Sequence, residues 1–274
     1  MTSQYLHRED APFGKDLWHR LDSIVVEAAK SRLSGRRLLH VEEPYGIDLK
    51  ALPGNDAPVR EKTKVGSSTT QVSISSVIPV PVIRTTFRLG SRDIQHFEKT
   101  GIQFAPGAIT EAAMACARQE DSLIFNGSPA VGLEGLLNAK GTCAVKLTSW
   151  QTVGAAADNL IQAVTTLDDA GFPGPYSLAL APGLYNLLLR RYPQGNMLEI
   201  EHIKNIVTEG VIKAPCLSKG GVLLASGKHV ASIIIGQDLM AGFIGPDEGD
   251  YVFSLSESLV PVVRQPKGIC VLNP

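Results

Sequence analysis

Most of the short signatures that announce an enzyme are missing from this chain of 274 residues. There is no GxGxxG and no GxxxxGK[ST], so nucleotide binding through a glycine-rich loop has no support. None of the six histidines sits in an HExxH, and no GxSxG nucleophile elbow occurs. The four cysteines, Cys116, Cys143, Cys216 and Cys270, form no CxxC pair. This removes zinc-ribbon and thioredoxin-type chemistry and leaves them as small buried hydrophobes. The N-terminus has no apolar signal core, and no uninterrupted apolar run reaches the roughly 18 residues of a membrane helix. Net charge is −1, from 26 basic and 27 acidic groups, so no global field recruits nucleic acid or an anionic membrane. Neither is expected as a partner, no metal site is read, and the chain is expected to be soluble and cytoplasmic.

Charged residues are also scarce, at 19% against about a quarter in a usual soluble domain. A low charge fraction fits a surface that partners cover. With 44% hydrophobic residues, the chain can bury a substantial core as one large domain or two modest ones.

The pattern alternates long helices with isolated strands, which predicts an α+β or α/β fold with mixed strands. Leu17, Leu21, Ile24, Val25 and Ala28 recur at three- and four-residue steps and predict a helix over 16–33, with Gly35 as its stop. Further helices are expected over 106–125, along a stripe of Ile109, Ala112, Ala113, Cys116, Glu120, Leu123 and Ile124, and over 149–170, with Ser149 as N-cap. Shorter ones follow over 183–191 and 200–209. Strands are expected at 77–89, in GPYSLALAP, on either side of Gly227, and from 251 to 272, broken by Pro261 and Pro266. Residues 50–76 are polar and rich in Gly, Pro, Ser and Thr, yet Gln71-Val72-Ser73-Ile74-Ser75 alternates like a strand. An extended two-stranded arm without a core of its own needs a neighbour to lie on.

The densest group of carboxylates is HVEEPYGID, residues 40–48, directly after Arg36 and Arg37. Glu42, Glu43 and Asp48 could form a paired-carboxylate site. The competing reading has the two glutamates facing water or pairing with Arg36 or Arg37 around a Pro-Tyr-Gly turn. No coherent active site emerges from the residues themselves.

SGRRLLHVEEPYGID closely resembles the stretch after the first helix of encapsulins, shell proteins with the HK97-type fold of tailed-phage capsids. The resemblance continues in order through PVIRTTFRL, EAAMACARQEDSLIFNG, VGLEGLL, GPYSLAL and IIIGQDLMAGF. It implies a lumen-facing helix and joint over 1–49 and an extended arm over 50–76. A peripheral domain with a spine helix is implied over 77–131 and 244–274, and an axial domain over 132–243. HVEEPYGID becomes a joint between helix and arm rather than a catalytic clamp.

The implied function is a non-enzymatic shell of about sixty copies of the chain. It encloses a cargo protein through that protein's C-terminal peptide. Ferritin-like proteins, dye-decolorizing-type peroxidases and hemerythrin-like proteins are the implied cargo, with roles in iron storage or oxidative stress. By position, Leu21, Val25, Arg36, His40 and Val41 are the candidates for the peptide groove, where an apolar helix face beside a cation suits an extended peptide. Two alternatives stand beside this assignment: Leu21 and Val25 belong to the chain's own core, and Arg36 pairs with Glu42 or Glu43 to brace the joint. Some family members stack a flavin on an aromatic just after the arm; LGSRDIQ holds none here, so no cofactor is expected. The other functional readings are a soluble hydrolase, protease or linocin-type bacteriocin, and the major capsid protein of a prophage.

Overall fold

Helix α1 (Lys15–Arg32) buries Leu17, Leu21, Ile24, Val25 and Ala28 along the stripe its periodicity predicts. The computed structural model describes residues 4–54, 59–65, 68–193 and 195–274. Gly35 does not stop α1. The helix is capped at Leu33, whose N–H donates to the Ala29 carbonyl, and Gly35 opens the one-turn helix α2 (Gly35–Leu38). A Cβ at residue 35 would lie 2.5 Å from Ile124 Cδ1, so glycine serves a close helix approach here rather than a turn.

Strand β1 (His40–Glu42) leads into the arm, which is built from β2 (Ala51–Pro53), β3 (Val59–Val65), β4 (Ser68–Ile74) and β5 (Val77–Pro79). β3 and β4 pair antiparallel, with Val59 opposite Ile74 and Val65 opposite Ser68; β2 and β5 pair at the root. The expected two-stranded arm is therefore present. The strand expected over 77–89 is divided: Val80 and Pro81 separate β5 from β6 (Val82–Gly90), and Pro81 has no N–H for a ladder.

Helices α3 (Ser91–Thr100) and α4 (Gly107–Asn126) follow, then β7 (Cys143–Lys146) and α5 (Ala155–Asp169). Ser149 is not the cap of α5, because turns occupy residues 150–154. Asn159, inside the helix, reaches back to accept from the Thr148 N–H at 2.9 Å and the Trp150 indole at 2.9 Å. The remaining elements are β8 (Tyr176–Leu180), α6 (Pro182–Leu187), α7 (Glu199–Ile206), β9 (Gly210–Lys213), β10 (Gly221–Ala225), β11 (Ala231–Asp247), β12 (Asp250–Val263) and β13 (Ile269–Asn273). β12 runs through Pro261 without the break that a proline predicts. β6 pairs only with residues 250–258 of β12, so Pro261 lies where that side of the strand is unpaired and its missing N–H costs nothing.

A four-stranded sheet has the order β1-β11-β12-β6, and a five-stranded sheet the order β7-β13-β10-β8-β9. The strands flanking Gly227 therefore part into different sheets. So does the tail: β12 belongs to the first sheet and β13 to the second, so residues 244–274 do not form one sheet unit. Two cores result. One gathers around the five-stranded sheet and α5, with Trp150, Leu160, Leu178, Leu223 and Ile269; it includes Ile233, Leu259 and Val260 from the inner ends of β11 and β12. The other joins α1, α3 and the first half of α4 to the outer parts of β6, β11 and β12, with Leu17, Leu21, Ile109, Phe87 and Phe253. Phe87 and Phe253 stack there with centroids 5.1 Å apart.

Candidate functional site

The boundary between the two cores crosses three elements, and it is polar on each. Along α4, Cys116 belongs to one core and Leu123 to the other, with Glu120 and Asp121 buried between them. Along β12, Leu255 and Leu259 flank buried Ser256, Glu257 and Ser258. Along β11, Gln237 and Asp238 fall where the pairing with β12 slips, between Ile235 and Gln237 and again between Gln237 and Met240. The Gln237 N–H donates to Ser258 Oγ at 2.8 Å, and its side-chain amide to the Ser256 carbonyl at 3.2 Å, so the slipped backbone is satisfied by side chains.

Arg36 of α2 closes this seam. Its Nε and one Nη bind both oxygens of Glu120, at 2.7 and 2.9 Å; the same Nη lies 3.2 Å from Glu257, and the other donates to Asp238 at 2.7 Å. The side chains of Glu120 and Glu257 are each only 1% exposed. One guanidinium thus serves two buried carboxyl groups and one exposed carboxylate. Burial, then the charge of Glu120, pushes Glu257 up to about 9, so it holds a proton at neutral pH, while burial also raises Glu120 and the Arg36 guanidinium works against that rise. The protonated Glu257 carboxyl donates to Glu120. Burial and the two glutamates also push the Cys116 thiol up to about 12.

Asp121 holds the start of α2. It accepts from the Ser34 hydroxyl at 2.6 Å, the Gly35 N–H at 2.8 Å and the Ser34 N–H at 3.0 Å. The joint then docks on β11, where the Tyr45 and Gly46 N–H groups donate to the Ile235 and Gly236 carbonyls at 2.9 and 2.6 Å. Glu42 accepts from Ser232 Oγ at 2.7 Å and from Arg264 at 2.8 Å. These bonds, that from Ser232 foremost, hold its carboxyl below the ordinary range. Glu43 and Asp48 are exposed.

Several expectations are corrected here. Arg36 pairs with neither Glu42 nor Glu43. Leu21 and Val25 are fully buried in the core with Phe87 and Phe253, where they offer no surface to a peptide. His40 is exposed and Val41 half-buried on β1, the edge strand of its sheet. Glu120, Asp121, Asp238 and Glu257 were not singled out, although Glu120 fell on the apolar stripe of α4 and signalled a buried charge. Among the described residues no group of three or more His, Cys, Asp or Glu side chains could hold a metal, and no helix is long and apolar enough to cross a membrane.

The arm differs from the seam in having no cover. Among the described side chains, none of β3 or β4 joins either core, and Val72, Ile74 and Val77 are 61%, 68% and 65% exposed. Residues 3–260 match the family described as "Encapsulating protein for peroxidase". The chain belongs to the encapsulin family. It is 30% identical, over 98% of its length and 96% of the relative's, to the type 1 encapsulin shell protein EncA of Myxococcus xanthus. The virus-like particle of Pyrococcus furiosus shares the fold at a TM-score of 0.74 and 22% identity, covering 94% of this chain and 99% of that one. The capsid of Myoviridae phage XM1 shares it at 0.55 and 16% identity, covering 85% and 88%. The fold is thus the HK97-type α+β capsid fold, and the encapsulin chain is a structural shell protein rather than an enzyme.

Proposed function

We propose that sixty copies of this encapsulin close into an icosahedral compartment, in the cytoplasm, that encloses a cargo enzyme through its C-terminal peptide. The observation that carries the reading is the arm: a two-stranded ribbon with apolar side chains in water gains stability only on another surface. A second copy is the surface that repeats with symmetry. The sequence-based division into lumen-facing helix, arm, peripheral and axial parts remains our reading of the subunit. The polar seam then acts as a brace between the two cores.

For cargo, the buried positions of Leu21 and Val25 narrow the proposed groove to His40, Val41 and the exposed remainder of Arg36. β1 has β11 on one side and no strand on the other among the described residues, so an extended peptide can add along that edge. Ferritin-like, dye-decolorizing-type peroxidase and hemerythrin-like proteins are the cargo classes we infer, and the family's description supports the peroxidase. The test is co-expression with a fluorescent protein carrying the tail of a candidate cargo. Shells of unchanged mass that load the fusion in the native chain and stay empty in a His40→Glu/Val41→Asp variant support the groove. Full loading of that variant rules it out.

A further inference from the structure

Cys143 and Cys270 face one another across two neighbouring strands. They are register partners in the parallel pairing of β7 with β13, so their side chains leave the same face of the sheet. Neighbouring strands place such Cα atoms about 4.8 Å apart, inside the roughly 4.4–6.8 Å window of a disulfide. Both are free thiols. The Cys143 S–H also points at the Lys267 carbonyl, 3.7 Å away, in the turn that feeds β13. Cys270 is fully buried, whereas Cys143 is half-exposed at the edge of the five-stranded sheet.

We propose that Cys143 and Cys270 are a peroxide-sensitive thiol pair, oxidised to a disulfide that ties the last strand of the chain to the sheet edge. The half-exposed Cys143 sulfur attacks hydrogen peroxide; the O–O bond breaks, one oxygen leaves as water and the other stays as a sulfenic acid. The Cys270 sulfur then attacks that sulfur, the S–O bond breaks, and the Cys270 proton leaves with the hydroxyl as a second water. Two thiols are oxidised and one peroxide is reduced. The division of roles follows from burial: the Cys270 thiol is pushed up to about 12 by burial first and then by Cys143, so it reacts as the resolving partner and not as the peroxide's target. Cys116 and Cys216, likewise pushed up to about 12 by burial, lie on separate elements and are not in register with another cysteine.

The test exposes the assembled native protein to hydrogen peroxide, blocks remaining thiols, and maps peptides without reduction. The expected product is one crosslinked peptide joining Cys143 to Cys270, lighter by the two thiol hydrogens and separated again by dithiothreitol. It should persist in a Cys116→Ser/Cys216→Ser variant and vanish in Cys143→Ser, where the substitution is at a partly exposed site. Cys270→Val, which keeps an apolar core side chain, should leave Cys143 to proceed to sulfinic acid. Native Cys143 recovered as sulfinic acid, as a disulfide to a second chain, or as an unmodified thiol would overturn the proposal.

Discussion

Arg36 and Glu120 are 84 residues apart in sequence and share a two-pronged ion pair of 2.7 and 2.9 Å. The pair joins the short helix after α1 to the middle of α4, at the level where one apolar core gives way to the other. Because Glu120 and Glu257 are cut off from water, removing Arg36 leaves a buried charge with no counterion.

Arg36→Glu is therefore expected to damage folding before it affects any cargo. Breaking one partner of a buried pair costs about 3–5 kcal/mol, and the reversal adds a fifth acid to a seam that already holds Glu120, Asp121, Asp238 and Glu257. Chemical denaturation at fixed protein concentration measures this. Replacing the group together, as Arg36→Met with Glu120→Gln and Glu257→Gln, should recover most of the loss; a single Arg36→Glu variant as stable as the native chain contradicts the brace.

The proton on Glu257 gives the seam a pH signature. A carboxyl whose folded pKa is raised binds in the native state a proton that the unfolded chain releases, so its contribution is complete below the unfolded value of 4.5 and fades as pH rises toward about 9. Stability of the native chain should fall across that interval. Glu257→Gln, a neutral isostere, should flatten the fall, as read from thermal midpoints in a pH series; parallel curves for the two proteins would remove the assigned proton.

Asp121 should matter as much as an ordinary core residue. Asp121→Ala leaves the Ser34 N–H, the Ser34 hydroxyl and the Gly35 N–H without their acceptor in a buried place, at a cost of about 2–3 kcal/mol. Gly35→Ala should cost about 1–3 kcal/mol by pressing a methyl group into buried Ile124. The denaturation midpoint reports both, and Asp121→Asn, which keeps an accepting oxygen, should lose less.

The periodic elements were legible in the sequence because their causes are local. The stripe Leu17-Leu21-Ile24-Val25-Ala28 found α1, and the alternation at 71–75 found half of the arm. The seam was not legible in the same way: Arg36 meets Asp238 and Glu257, 202 and 221 residues onward, while the nearest acids in sequence, Glu42 and Glu43, lie on the far side of a turn. Glu42 in turn finds Arg264, 222 residues away. Gly35 and Ser149 misled for a related reason. A glycine or serine near a helix end has a local meaning that tertiary packing overrode, at Gly35 through Ile124 and near Ser149 through the Asn159 and Trp150 contact.

The arm should be separable from the fold at its root, where the Gly54 N–H donates to the Ser76 carbonyl at 2.8 Å. Excising residues 55–75 with a short turn in their place should leave circular dichroism and the thermal midpoint of the isolated subunit near native, since no described side chain of β3 or β4 joins either core. The same chain should fail to close, giving fragments or aggregates in electron micrographs. Closed shells of normal size would show that the arm is not what joins the copies.

The most direct measurement is the mass of the intact protein at micromolar concentration, by light scattering or mass photometry. Sixty chains of 29.3 kDa make a closed particle of roughly 1.8 MDa, and the account predicts that species as the main one. A population of monomers or dimers, with no particle in the megadalton range, would contradict it.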